Sequence, residues 1–301
     1  MKSGIIAVHK PEGLSSARVV ARVKKVLNAK KVGHTGTLDP FATGLLLCAI
    51  NHGTKLSQFF LGGDKRYTAR VHLGIETDTY DRTGQIVSTA TQATMDAISI
   101  KAVQAVVNSF FGVQEQIPPV YSALKHNGQP LYKLARQGSP VQKPARRIEI
   151  FDIAISRIDL PYIDLEVFCS TGTYIRSIAY DIGIKLGCGA HLAELCRTQS
   201  SSFMLDRAID LETLENLSQS QAEDKIVPLT ECLEAFPKVT VDSAVARKIG
   251  YGQKLFTTEM DFIPQSFDQF IRVVDDQNAL LAIVQLPENS QTYNYSCVFL
   301  S

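Results

Sequence analysis

The segment Gly33-His34-Thr35-Gly36-Thr37-Leu38-Asp39-Pro40-Phe41-Ala42-Thr43-Gly44 concentrates residues suited to chemistry rather than to a core. Three glycines and a proline within twelve residues prevent regular helix or strand. Asp39 stands directly before Pro40, and a residue in that position is held extended. The glycines allow a ligand to approach the backbone closely. A single poised carboxylate can serve as a nucleophile or remove a proton. The plain alternative is an Asp-Pro turn joining a helix to a strand, and these residues alone leave both readings open.

Other chemistries lack a basis in the 301 residues. There is no G-x-G-x-x-G for a dinucleotide and no G-x-x-x-x-G-K-[ST] for a nucleoside triphosphate. The six cysteines contain no C-x-x-C pair and are scattered, which suits free buried thiols better than a zinc site or disulfide framework. Dinucleotide, P-loop and zinc chemistry are therefore not expected. The longest apolar runs are six residues, 45–50 and 279–284. A spanning helix needs about 20, and the N-terminus lacks the apolar length of a signal peptide. These features predict a cytoplasmic protein with no membrane association.

The net charge of +1 conceals a polarity. Residues 1–205 carry 24 Lys and Arg against 15 Asp and Glu, and residues 206–301 carry 7 against 15. Two windows, 13–38 and 116–148, each hold six basic residues and no acid. Such windows suit a polyanion, because neutralised phosphates release counterions; a merely solvated face is the commoner meaning of a charge run.

Regular elements must position this chemistry. Residues 5–8 and 45–50 read as strands. Ser15 or Ser16 caps a helix with Val19, Val20, Val23, Val26 and Leu27 on one face. Tyr67, Ala69, Val71 and Leu73 alternate with polar residues, predicting a half-buried strand. Ser99 caps a second helix carrying Ile100, Val103, Val106, Val107 and Phe110 at helical spacing. Residues 117–143 read as a long, partly structured loop, and functional loops are the usual reason for such length. Paired strands follow at 148–158 and 163–169, then a helix at 174–186. The acidic end predicts one short helix (243–250) and strands at 270–274, 280–286 and 293–300. The pattern indicates an α+β fold: a mixed, largely antiparallel sheet with flanking helices, plus a small β-rich piece.

Residues 33–44 followed by the 45–50 run resemble the catalytic signature of the TruB family of tRNA pseudouridine synthases. Lys10-Pro11-x-Gly13-x-Ser15-Ser16 resembles the family's N-terminal motif. Lys65-Arg66-Tyr67, Leu73-Gly74 and Thr77-Asp78-Thr79-x-Asp81-x-x-Gly84 resemble its tyrosine strand and following turn. Ile117-Pro118-Pro119-x-Tyr121-Ser122-Ala123-Leu124-Lys125, with Gly128 and Leu131-Tyr132, resembles its RNA-gripping loop, here about 117–147. Gly172-Thr173-Tyr174-Ile175-Arg176-Ser177 resembles its arginine motif, and Gly189-Ala190-His191-Leu192 through Leu195 its last active-site segment. Cys196 departs from the pattern, standing where a second arginine is expected before Arg197, which puts one phosphate or structural contact in doubt.

The resemblance implies a catalytic domain over 1–235 and a PUA-like RNA-binding domain over 236–301. It implies an isomerase that converts uridine-55 of the tRNA T loop to pseudouridine. The N1–C1′ bond breaks and the base, flipped out of its stack, rejoins through C5. Asp39 would be the catalytic residue, acting on the sugar as a nucleophile or at the C2′ proton. Arg176 beside it would favour the ionised carboxylate. Tyr67 would stack on the uracil, with Tyr174 and Leu195 lining the pocket. His34 would fill the space left by the base or contact its phosphate. Lys10, Lys24, Lys25, Lys125, Lys133, Arg136, Arg146 and Arg147 are candidate RNA contacts. tRNA is the implied partner, with the chain a monomer needing no obligatory protein partner. Two other readings compete: a guide-RNA-dependent synthase of the dyskerin type, and a non-catalytic RNA-binding or RNA-folding protein.

Overall fold

The apolar runs meet in one large sheet. In the computed structural model, which describes residues 2–260, 262 and 269–299, the chain forms β1 (Gly4–Lys10), α1 (Ser16–Val26), β2 (Val32–His34), β3 (Thr43–Ile50), β4 (Lys65–Leu73), α2 (Ile100–Asn108), β5 (Gly112–Gln116), α3 (Leu131–Arg136), β6 (Arg146–Asp159), β7 (Tyr162–Cys169), α4 (Ile175–Leu186) and β8 (Ala190–Ser200). The sheet runs β1-β3-β8-β4-β7-β6-β5, with β2 on the side of β3 and short strands at Ile209–Asp210 and Val227–Pro228 beside β1. These neighbours are antiparallel except β3 with β8 and β1 with Ile209–Asp210. The expected α+β class is therefore observed.

Capping and periodicity explain the helices. Ser15 Oγ accepts from Arg18 N at the start of α1, and Ser99 Oγ accepts from Ala102 N at the start of α2. Val103 and Val107 of α2 join Val71, Ile150 and Ile182 in the core under β4, β6 and α4. Tyr174, expected inside its helix, is instead the residue preceding α4.

Residues 45–50 are apolar without interruption because both faces of β3 are covered. Leu46, Cys48 and Ile50 pack with Val19 and Val23 of α1. Leu45, Leu47 and Ala49 pack with Phe60 and with a second sheet. That sheet follows at the C-terminal end: β9 (Lys238–Thr240), α5 (Ser243–Gly250), β10 (Leu255–Phe256), β11 (Phe270–Val274), β12 (Leu280–Gln285) and β13 (Thr292–Val298), in the order β9-β11-β12-β13-β10. Of the strand expected over 293–300, the observed strand ends at Val298, and residue 300 lies outside the described residues.

The second sheet has its own core around Val245, Ile271 and Tyr293. It also contributes Leu280, Ile283 and Phe299 to the cluster beneath β1 and β3. Phe59 lies edge-on to Phe236 and Phe270, at 5.5 and 4.9 Å between centroids. The break near residue 236 thus runs through shared apolar packing. Among the described residues, no helix is long and apolar enough to cross a membrane.

Phe59 is partly buried, so truncating it to alanine is expected to cost about 2–3 kcal/mol, at or below the low end for a fully buried phenylalanine. Unfolding in urea should shift to lower denaturant yet remain one transition. Separate unfolding of the C-terminal sheet in the parent would show that the shared cluster does not couple the two.

Candidate active site

The Asp39 loop joins β2 to β3 and is fastened by the N-terminal motif. Ser16 Oγ donates to Leu38 O at 3.0 Å and accepts from Leu38 N at 2.8 Å. Gly13 N donates to Pro40 O at 2.8 Å. The Lys10 ammonium donates to Pro11 O, Leu14 O and Pro40 O at 2.8, 2.7 and 3.3 Å. Lys10 is 0% exposed, so the structure corrects its reading as an RNA contact. Its charge satisfies carbonyls of a loop that has no ladder to pair with.

Asp39 meets Arg176, which α4 projects from its first turn. Arg176 is 3% exposed, whereas the Asp39 side chain keeps 34% of its surface open. Arg176 Nε approaches Asp39 Oδ2 to 2.9 Å off the hydrogen-bond line, while Nη2 donates to Oδ1 at 3.4 Å. The remaining donors go to Thr79 O at 2.9 Å and Tyr121 O at 2.8 Å. Asp81 Oδ2 stands 3.5 Å from Nη1. Its other oxygen accepts from Thr79 Oγ1, Thr83 N and Thr83 Oγ1, fixing the turn that presents the Thr79 carbonyl.

The pair opens onto a cavity of about 290 Å³, at the small end of ligand sites, which begin near 300 Å³. Tyr67, Tyr174 and Leu195 line it together with Arg146, Arg197 and Lys65. Ala123 and Leu124 of the long loop form part of its wall. Burial pushes the Tyr67 phenol up, so it stays protonated. Arg197 holds the far side of the Asp39 loop, with Nε on Leu45 O at 2.8 Å and Nη2 on Gly36 O at 3.1 Å.

Strands β3 and β8 meet here. Gly44 faces Arg197 in parallel register, and a Cβ on Gly44 would stand 2.4 Å from Arg197 O. With φ at +102°, only glycine fits without strain.

The other expected residues are dispersed. His34 lies on β2 outside the lining, with Nδ1 buried and, among the described residues, without a partner. Burial, and then the Arg197 charge, hold it below the usual imidazole value. A neutral ring suits filling space better than pairing with phosphate. Lys24, Lys25, Lys125, Lys133, Arg136 and Arg147 are exposed, as an RNA-contacting surface requires. Cys196 opens onto a different cleft, beside Glu12, Asp164 and Glu194, where an arginine would meet carboxylates rather than the cavity.

Sequence reasoning missed Arg197, Lys65 and Asp81. The motif Thr77-Asp78-Thr79-x-Asp81 offers two aspartates without distinguishing the buried one. Arg197 stands beside Cys196 in the family pattern, but nothing there marks it as holding the Asp39 loop.

Comparison with known proteins places this geometry. A solved chain titled "Crystal Structure of a Cbf5-Nop10-Gar1 Complex" superposes with a TM-score of 0.75 at 25% identity, covering 99% of this chain and 85% of that one. Residues 24–175 match the TruB family pseudouridylate synthase (N terminal domain), and residues 176–236 the tRNA pseudouridylate synthase B C-terminal domain. The "tRNA pseudouridine synthase B" of Syntrophotalea carbinolica is 43% identical over 250 residues, 83% of this chain and 81% of its own. That of Francisella philomiragia is 40% identical over 277 residues, 91% of this chain and 88% of its own. The chain belongs to the TruB family of pseudouridylate synthases.

Lys10 gives the site a measurable pH signature. Burial above all draws its ammonium from 10.5 down to about 8. Across that interval the unfolded chain holds a proton that the folded chain has released, so this group makes stability rise with pH. The buried thiols of Cys48 and Cys169, pushed up to about 12, oppose it above their ordinary value of 9.0. Comparison with Lys10→Met isolates the lysine. In urea titrations between about pH 7.5 and 10.5, the parent's unfolding free energy should gain on the variant's as pH rises. Parallel curves would refute a depressed Lys10.

Proposed function

We propose that this chain converts uridine-55 in the T loop of tRNA to pseudouridine, acting on the tRNA as a cytoplasmic monomer with no protein partner and no cofactor. The observation that carries this reading is the Asp39–Arg176 pair at the wall of a nucleotide-sized cavity, in a chain of this family. Named relatives at 40–43% identity support tRNA over a guide-dependent assembly, since the likeness to the Cbf5 chain is 25%.

The reaction begins with a base leaving its stack, which costs a few kcal/mol. The exposed cations of α1 and the 117–143 loop offset this by holding the RNA backbone. The uracil enters against the Tyr67 ring, with Leu195 and Tyr174 closing the sides. Arg176 keeps the Asp39 carboxylate aimed into the cavity, where it attacks C1′ or accepts the C2′ proton. Either route releases the N1–C1′ bond and the base turns. C5 then bonds to C1′ as the Asp39–C1′ bond breaks or the C2′ proton is returned. C5 loses its proton while N1 gains one, so no atom is gained or lost overall. Residues 1–235 carry this chemistry. Residues 236–301 form a PUA-like unit that contacts RNA through local groups such as Arg247 and Lys248, since residues 206–301 hold 7 bases against 15 acids.

The test is incubation of the purified chain with unmodified tRNA transcript and nothing else, followed by mapping of pseudouridine. Product at position 55 is expected; a requirement for added protein or guide RNA would overturn the reading. Asp39→Asn should retain tRNA binding while the rate falls by about 10^4 or more. A rate within about tenfold of the parent would remove Asp39 from its role. Arg176→Met should lower the single-turnover rate at saturating enzyme. If only affinity changes, Arg176 binds backbone and does not position Asp39.

A further inference from the structure

The cavity wall holds four cations, and tracing their donors separates one from the rest. Arg176 is matched by Asp39 and Asp81. Arg197 donates to the carbonyls of Leu45 and Gly36. Lys65 donates to Leu61 O and Gly63 O and reaches Thr171 Oγ1 at 3.5 Å. Arg146 lines the same cavity, yet among the described residues it forms no ion pair, and its Nε is buried without an acceptor. A guanidinium has five donors and no means of losing its charge. Among the described residues no acceptor is in place for this one, which leaves its charge available to a ligand.

Its position is fixed by neighbours on β5 and at the start of α4. Arg146 opens β6 and pairs with Gln116 of β5. The Gln116 amide grips the Tyr174 backbone at both ends, donating to Tyr174 O at 3.0 Å and accepting from Tyr174 N at 2.8 Å. The Tyr174 ring carries the guanidinium, with Cζ 4.8 Å from the ring centroid. Gly172, at φ +88°, passes so near that a Cβ there would lie 3.3 Å from Cζ. A planar cation stacked on an aromatic face, with free donors in a fixed fork, is suited to phosphate oxygens.

We propose that Arg146 forms a subsite for a phosphodiester flanking the nucleotide whose base enters the cavity. The inference rests on the reading of the chain as a synthase acting on a flipped base. A nucleotide that sends its base inward leaves its phosphates at the rim, and anchoring one of them fixes where C1′ comes to rest. Arg146 is therefore a positioning residue: it sets the sugar's distance from Asp39 and takes no part in bond exchange.

The experiment uses the full chain and T-arm hairpin RNAs in which either phosphate flanking the target uridine is replaced by an uncharged methylphosphonate. Arg146→Gln should weaken binding to the unaltered hairpin about tenfold and make the log–log salt dependence shallower by roughly 0.7–0.9, one phosphate's worth. At one of the two positions, methylphosphonate should weaken the parent about tenfold but Arg146→Gln by less than about twofold. Arg146→Lys, which retains charge and bulk, should preserve the salt slope and recover part of the affinity. Equal losses in parent and variant at both positions, or an unchanged slope in Arg146→Gln, would overturn the proposal. Binding is read without turnover, so failure of the parent to form pseudouridine in tRNA would be seen separately and would count against the underlying reading.

Discussion

A guanidinium that is 3% exposed must find acceptors inside the protein, and Arg176 finds them on three segments far apart in sequence. Asp39 comes from the loop before β3, Thr79 and Asp81 from the turn after β4, and Tyr121 from the long loop. An unpaired charge at that depth would cost several kcal/mol, so the segments are held in one arrangement or the site does not form. The fold serves this requirement. Helix α4 brings Arg176 to the sheet, and β4 and β8 carry the apolar wall on which Tyr67 and Leu195 stand.

The second recurring device is the use of lysine and arginine to satisfy carbonyls. A loop rich in glycine and proline, such as the one bearing Asp39, cannot hydrogen-bond to itself as a helix or strand does. Lys10 supplies a donor to Pro40 O and Arg197 one to Gly36 O, while Lys65 serves the carbonyls of Leu61 and Gly63 beside the same cavity. Burial draws both lysines down to about 8, which measures how unfavourable the placement of each charge is. The benefit is an Asp39 loop with fixed shape on both flanks, its carboxylate free to face a substrate.

Elements with strong periodicity were legible in the sequence. The alternation of Tyr67, Ala69, Val71 and Leu73 specifies β4, and Ser15 and Ser99 mark where α1 and α2 begin. Asp39 was legible because glycine and proline single out its loop, and its partner was reached through the motif around Arg176. What escaped was determined by depth rather than residue type. Lys10 sits in a motif that looks as polar as any surface turn, and nothing local says that its ammonium is enclosed. Asp78 and Asp81 differ by three positions and by burial alone. The contact between the two sheets depends on Phe59, Phe236 and Phe270, which lie so far apart in sequence that no period connects them.

The seam between β3 and β8 has a consequence for how the chain can evolve. The parallel ladder there is two residues long, Thr43 with Cys196 and Gly44 with Arg197. It joins the half of the sheet bearing the Asp39 loop to the half bearing Tyr67. A side chain at position 44 would part these halves and in the same motion draw Asp39 away from the Tyr67 ring. Stability and activity are therefore one trait at this position. A lineage cannot trade one against the other there, and drift elsewhere in the sheet must accommodate a seam that does not yield.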